Sequence, residues 1–202
     1  LVVGLAVADV LFAPKNFQLI ELEEYQKNRL RVYFDLDFAP SDATEAEKKA
    51  AGIEKRKFSY NIDQALISVG SGGLTGKGWC QGTQNSLGYL PRGVAHNDFI
   101  FSVIAEEKGF VGSMVVLALY GLLIFSGLLV ASLARDRLGK TLAIGIVALW
   151  FSHVFINIGM NIRLMPVTGL PLPLLSDGGS SVLCFLLSIG LLENIYLYRR
   201  SY

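Results

Sequence analysis

Apolar residues gather in this chain into long uninterrupted runs separated by polar stretches, and three of the runs are long enough to cross a bilayer. Phe110 to Ala134 carries no charged residue over 25 positions, which at ~1.5 Å per residue exceeds a hydrocarbon core of about 30 Å. Thr141 to Ile162 predicts a second span and Ser180 to Tyr198 a third, with Glu193 and Asn194 close to its end. Leu1 to Ala13 is apolar but too short to cross, starts without Met and lacks a signal peptide's basic flank, so it reads as the end of a truncated helix. The pattern predicts an all-α polytopic membrane protein. Three C-terminal transmembrane helices follow a partial helix and a large loop that carries short helices.

That loop, residues 14–109, has its own periodicities. Between Phe17 and Phe34, the apolar positions Leu19, Leu22, Leu30 and Tyr33 recur at roughly helical spacing among charges, which suits either an interfacial or a solvated helix. Pro40 to Lys57 is rich in Ala, Glu and Lys, with Thr44 and Glu47 spaced as a capping box, and predicts a solvated helix. Asn61 to Gly70 places Ile62, Leu66 and Val69 at i, i+4 and i+7, a short amphipathic helix leading into glycine-rich sequence.

Composition agrees with a membrane setting: 52% of residues are hydrophobic and only 17% are charged. The net charge of +1, with no basic stripe interleaved with aromatics, gives no sign of a nucleic-acid interface. Cys80 and Cys184 suggest neither a disulfide framework nor a metal site. Arg135, Arg137 and Lys140 in the 135–140 connection, and Arg199 and Arg200 in the 199–202 tail, flank span ends, and by the positive-inside tendency they are cytoplasmic. Spans 110–134, 141–162 and 180–198 then alternate, which leaves 14–109 and the loop 163–179 extracytoplasmic.

Three stretches carry candidate chemistry. The first, GSGGLTGKGWCQGTQNSLGYLPRG at 70–93, has eight glycines in 24 residues, a density that lets backbone amides approach a ligand closely. It is not a phosphate-binding P-loop, because Ser71 stands six residues before Lys77 and Gly78 follows it. A flexible surface loop is the plain alternative, although Lys77 and Arg92 suit phosphate recognition. In the second, Asp98 precedes an apolar segment, so it is either an N-cap or a functional carboxylate at the membrane surface. His96 nearby is a proton relay or a structural hydrogen-bonding residue, and at least one of Glu106 and Glu107 reads as salt-bridged. The third, NIRLMPVTGLPLPLLSDGGSS at 161–181, interrupts apolar sequence with three prolines and three glycines. Irregular backbone at membrane depth is tolerated only where it lines a cavity or is buried in protein. Arg163 there is either a partner for an anionic head group or an interfacial anchor, and Asp177 is equally ambiguous.

In order along the chain, YQKNRLRVYFD at 25–35, GSGGLTGKGWCQGTQNSLGYLP, HNDFIFSVIAEEKGFVG and MPVTGLPLPLLSDGGSS resemble the signature regions of the SEDS family of cell-wall polymerases, which includes RodA, FtsW and SpoVE. PVTGLPLPLLS is similar to the RodA branch. Asn97 stands where the family has Thr, Asp177 where Tyr is common, Arg92 to Val94 depart from an acidic approach to the His, and residues 40–57 resemble an insertion. The resemblance implies further membrane helices upstream. It also implies a peptidoglycan glycosyltransferase that polymerises lipid II for cell elongation and rod shape at the outer face of the bacterial cytoplasmic membrane. On that reading Asp98 is the general base, His96 lies in the site, and Lys77, Arg92 or Arg163 stabilise the departing pyrophosphate. Gly72, Gly73, Gly76 and Gly78 would shape the groove. The implied partner is a class B penicillin-binding protein. A divalent cation, Mg or Mn, would share the electrostatic role, though no ligand cluster of recognisable spacing is present. A lipid II flippase and a non-catalytic scaffold of the cell-wall synthesis complex are the alternatives.

Overall fold

The computed structural model describes residues 24–36, 44–83, 87 and 97–198. The expected helix end at 1–13, Arg92, His96 and the 199–202 tail lie outside them. The described residues form helices and connections, with no strand among them: α1 Glu24–Tyr33, α2 Glu45–Ser71, α3 Ile100–Leu133, α4 Arg137–Asn161 and α5 Gly179–Tyr198. They divide into two compact units, one reaching to Asp63 and including Arg163–Val167, the other made of Gln64–Ile162 and the residues from Thr168 onward.

In the first unit, α1 ends in a left-handed turn. Asp35 has φ 55°, and the Leu36 amide donates back to the Arg31 carbonyl at 2.8 Å, which satisfies a carbonyl the helix end would orphan. Lys55 Nζ lies 2.8 Å from the Asp35 carboxylate, and its hydrogen bond and charge hold that carboxyl below its ordinary range. The link therefore contributes above that range and fades as pH falls through the depressed value. Arg29 donates to the Val167 carbonyl at 2.9 Å and the Tyr33 hydroxyl to that of Leu164 at 2.9 Å. The two helices expected at 40–57 and 61–70 are one continuous helix of 27 residues. Phe58, Ser59 and Tyr60 between them include no Gly or Pro, and the isolated Gly52 costs a helix only about 1 kcal/mol.

The second unit holds three helices long and apolar enough to cross a membrane. α4 starts at Arg137, not after residue 140, because the Asp136 carboxylate accepts from the Gly139 amide at 2.6 Å and caps it. The expected six-residue connection is correspondingly short. Ala131, Ala143, Trp150, Phe185 and Leu192 form one core cluster, and Phe101, Tyr120, Val154 and Leu172 another. Trp150 donates its indole proton to Ser188 Oγ at 2.9 Å, tying α4 to α5. Leu119, Leu122, Phe125 and Leu187 remain exposed, as expected of helices that are apolar all round.

Close approach of α3 and α4 depends on Gly127, where an added Cβ would lie 2.5 Å from Val147 Cγ2. Gly121, six residues earlier, has open space. Gly127→Leu is expected to destabilise the detergent-solubilised protein by about 1–3 kcal/mol through overpacking, whereas Gly121→Leu stays within about 0.5 kcal/mol. Melting curves of the two variants check the contrast.

Candidate active site

The predicted span beginning at Phe110 belongs to a longer helix that is broken once. Within α3, Gly109 has φ 66° and ψ −163°, a region that only glycine occupies without strain. The break separates a half-helix, Ile100–Lys108, from the membrane span beyond it. In an unbroken helix the amides of Phe110 and Val111 would donate to the carbonyls of Glu106 and Glu107. They donate instead to Gly73 and Leu74 at 2.8 and 3.1 Å, while Glu106 and Glu107 accept from Lys77 and Gly78, both at 3.0 Å. Two intrahelical bonds are thus replaced by four bonds to the glycine-rich turn. Contact this close leaves no room for side chains. A Cβ on Gly72 would lie 2.0 Å from the Ala105 carbonyl, and one on Gly76, with φ 81°, 2.2 Å from that of Glu107.

An ion pair fastens the same junction. Lys77 Nζ lies 2.6 Å from Glu106 Oε1 and donates to Ser71 and Thr83 hydroxyls at 2.8 Å each. Thr83 in turn donates to Glu106 Oε1 at 3.0 Å. The Glu106 side chain is 1% exposed and that of Lys77 26%. Glu106 is therefore the salt-bridged member of the acidic pair, and Lys77, expected to face a phosphate, has a protein carboxylate against it.

Asp98 lies at the other end of the half-helix and is half-buried. The N-cap position falls on the next residue, Phe99, which is buried and makes no side-chain capping bond. The main chain around Asp98 is held from outside. Asn157 and Asn161 of α4 donate to the Asp98 carbonyl at 3.1 and 3.2 Å, and Ser176 Oγ donates to that of Asn97 at 2.6 Å. Asn161 and Ser176 belong to the 161–181 stretch, whereas Asn157 lies within the predicted span, where Asn at i and i+4 is itself a signal of function.

The irregular loop after α4 is tied down by the same kind of bond. Asn157 also donates to the Leu170 carbonyl at 2.7 Å, His153 Nδ1 lies 3.3 Å from that of Pro171, and the Tyr120 hydroxyl donates to that of Pro173. Ser176 Oγ accepts the Leu172 amide at 2.7 Å. Leu172, Pro173 and Ser176 of the loop are buried, whereas Leu164, Leu174 and Leu175 are exposed. Arg163 belongs to the first unit, where it pairs with Asp63 at 3.3 Å, and Asp177 is exposed. Beside the Gly109 break, a groove of about 300 Å³ is lined by Val69, Phe101, Phe110, Met114, Leu117 and Ile158, among others. Among the described residues, no group of three or more His, Cys, Asp or Glu side chains converges as metal ligands would, so no step is assigned to a cation.

Removing one partner of a buried ion pair costs far more than removing both. Lys77→Met is expected to lower stability by roughly 3 kcal/mol, and the double variant Lys77→Met/Glu106→Leu to recover most of that loss. Thermal unfolding in detergent measures the cycle. An unchanged midpoint for Lys77→Met would show that the lysine does not hold the turn.

The family described as "Cell cycle protein", comprising FtsW, RodA and SpoVE, matches residues 1–201. Peptidoglycan glycosyltransferase MrdB of Escherichia coli K12 is 39% identical over 198 residues, covering 98% of this chain and 49% of the relative. Peptidoglycan glycosyltransferase RodA of Treponema pallidum is 40% identical over 192 residues, with 95% and 40% covered. Stage V sporulation protein E of Bacillus subtilis is 42% identical over 141 residues, with 70% and 38% covered. A solved structure described as "Structural coordination of polymerization and crosslinking by a peptidoglycan synthase complex" aligns with a TM-score of 0.63 at 28% identity, over 100% of this chain and 50% of that one. The chain spans about half the length, or less, of these curated relatives. With a family match over nearly its whole length and broken-helix geometry built from the motifs that suggested the resemblance, this chain belongs to the FtsW/RodA/SpoVE family.

Proposed function

We propose that the protein is a RodA-like peptidoglycan glycosyltransferase that polymerises lipid II at the outer face of the cytoplasmic membrane, with Asp98 as general base. The observation that carries this reading is the placement of Asp98. It is a half-buried carboxylate at the head of a half-helix that is fixed at both ends, in a chain 39–40% identical to two proteins named as peptidoglycan glycosyltransferases. The cations Arg135, Arg137 and Lys140 beside the α3–α4 connection support a cytoplasmic location for that end.

In the reaction, the Asp98 carboxylate takes the proton of the acceptor sugar's 4-hydroxyl. That oxygen attacks the anomeric carbon of the lipid-linked donor as the bond to the pyrophosphate breaks, and the pyrophosphate leaves with the lipid. Charge on the leaving group is met by cations preorganised around it. Arg92 is the remaining candidate, since Lys77 already faces Glu106 and Arg163 pairs with Asp63. The apolar groove beside Gly109 suits the polyprenyl part of such a substrate at membrane depth. A class B penicillin-binding protein is the proposed partner, supported by the likeness to a structure of a complex described as joining polymerisation and crosslinking.

Asp98→Asn keeps the size of the side chain and removes the base. In the full-length protein, with purified lipid II, glycan-chain formation is expected to fall by about 10²–10⁴ while membrane insertion is retained. Undiminished polymerisation would refute the assignment, and lipid II movement across vesicles without polymer would favour a flippase.

A further inference from the structure

Primary amides buried in a membrane-spanning helix are costly unless every donor finds a partner. Asn157 and Asn161 stand one turn apart on α4 and are both fully buried. Their Nδ2 groups converge on one oxygen, the main-chain carbonyl of Asp98, at 3.1 and 3.2 Å. Asn157 also donates to the Leu170 carbonyl at 2.7 Å, and Asn161 to that of Asn157 at 2.8 Å. Each amide nitrogen therefore has an acceptor outside the Asp98 segment as well as within it.

The carboxamide oxygen of Asn161 completes the arrangement. It accepts at 3.2 Å from the Ser102 amide, which it shares with the Phe99 carbonyl at 3.0 Å in the first turn of α3. An N-cap residue ordinarily supplies a side-chain oxygen there, but the Phe99 side chain has none, and α4 provides one across the helix interface. With Ser176 bonded to the Asn97 carbonyl, the main chain is held on both sides of Asp98 by side chains from two other elements.

We infer that Asn157 and Asn161 are positioning residues for Asp98, fixing the main chain from which the base projects. The inference rests on the reading of Asp98 as general base. A carboxylate that must meet a hydroxyl at hydrogen-bond distance loses rate steeply when displaced, and a shift of ~1 Å can cost roughly 10²-fold. Two amides on one carbonyl, with a third element bonded to the adjacent carbonyl, restrict such a shift.

The test is steady-state polymerisation of lipid II by the full-length protein, with kcat and KM determined separately for Asn157→Leu, Asn161→Leu and Asp98→Asn. Both asparagine variants are expected to insert normally and keep KM within about twofold while kcat falls, by up to roughly 10² for Asn157→Leu. Unchanged kcat, or kcat and KM worsening together with a loss of folded protein, overturns the inference. If the leucine variants do not insert, the isosteric Asn157→Asp and Asn161→Asp, which keep one donor at most, are read by the same split. Polymerisation that survives Asp98→Asn refutes the base assignment instead, whatever the asparagine variants do.

Discussion

The exchange of backbone hydrogen bonds at Gly109 is the constraint on which the rest of this structure depends. A membrane helix cannot break without stranding amides and carbonyls where no water reaches them. Here the stranded groups of α3 are taken up by the glycine-rich turn, amide for carbonyl and carbonyl for amide. The glycines at 72, 76 and 109 follow from that requirement, because two backbones in direct register leave no room for Cβ atoms between them. The Lys77–Glu106 pair is placed by the same contact, with the lysine and the glutamate arriving from opposite sides of the junction.

The same rule operates at the other end of the half-helix. Irregular chain at 168–176 and the segment leading to Asp98 both carry carbonyls that no regular element satisfies. Tyr120, His153, Asn157, Asn161 and Ser176 supply the partners. The half-helix Ile100–Lys108 is therefore held at its C-terminal end by the turn and at its N-terminal end by α4 and the loop. Asp98 is the carboxylate presented at the second of these ends.

Length and apolarity made the three membrane spans legible in the sequence, since crossing a bilayer imposes a length that composition alone reveals. The glycine-rich stretch was legible as a segment built for close approach, but not what it approaches. Nothing local in GSGGLTGKG says that its partners are the carbonyls of Glu106 and Glu107 some thirty residues on. For Lys77, a lysine in a glycine loop suits a phosphate on sequence alone, and the buried carboxylate beside it is visible only in three dimensions. Asn157 sits inside an apolar span and Asn161 at the head of the 161–181 stretch, and nothing local shows that both amides reach the Asp98 carbonyl. The start of α4 was misplaced because the charges of 135–140 looked like loop, whereas Asp136 is a cap. Asp98 stands out as a candidate in the sequence by its place before an apolar segment and by the motif around it, while its surroundings are visible only in three dimensions.

Amide-resolved hydrogen exchange of the full-length protein in lipid nanodiscs tests the central claim most directly. If the turn repairs the broken helix, the amides of Lys77 and Gly78 are protected together with those of Phe110 and Val111, as one cooperative unit. Exchange of Lys77 and Gly78 as fast as in an exposed glycine loop, with Phe110 and Val111 protected independently, would contradict it.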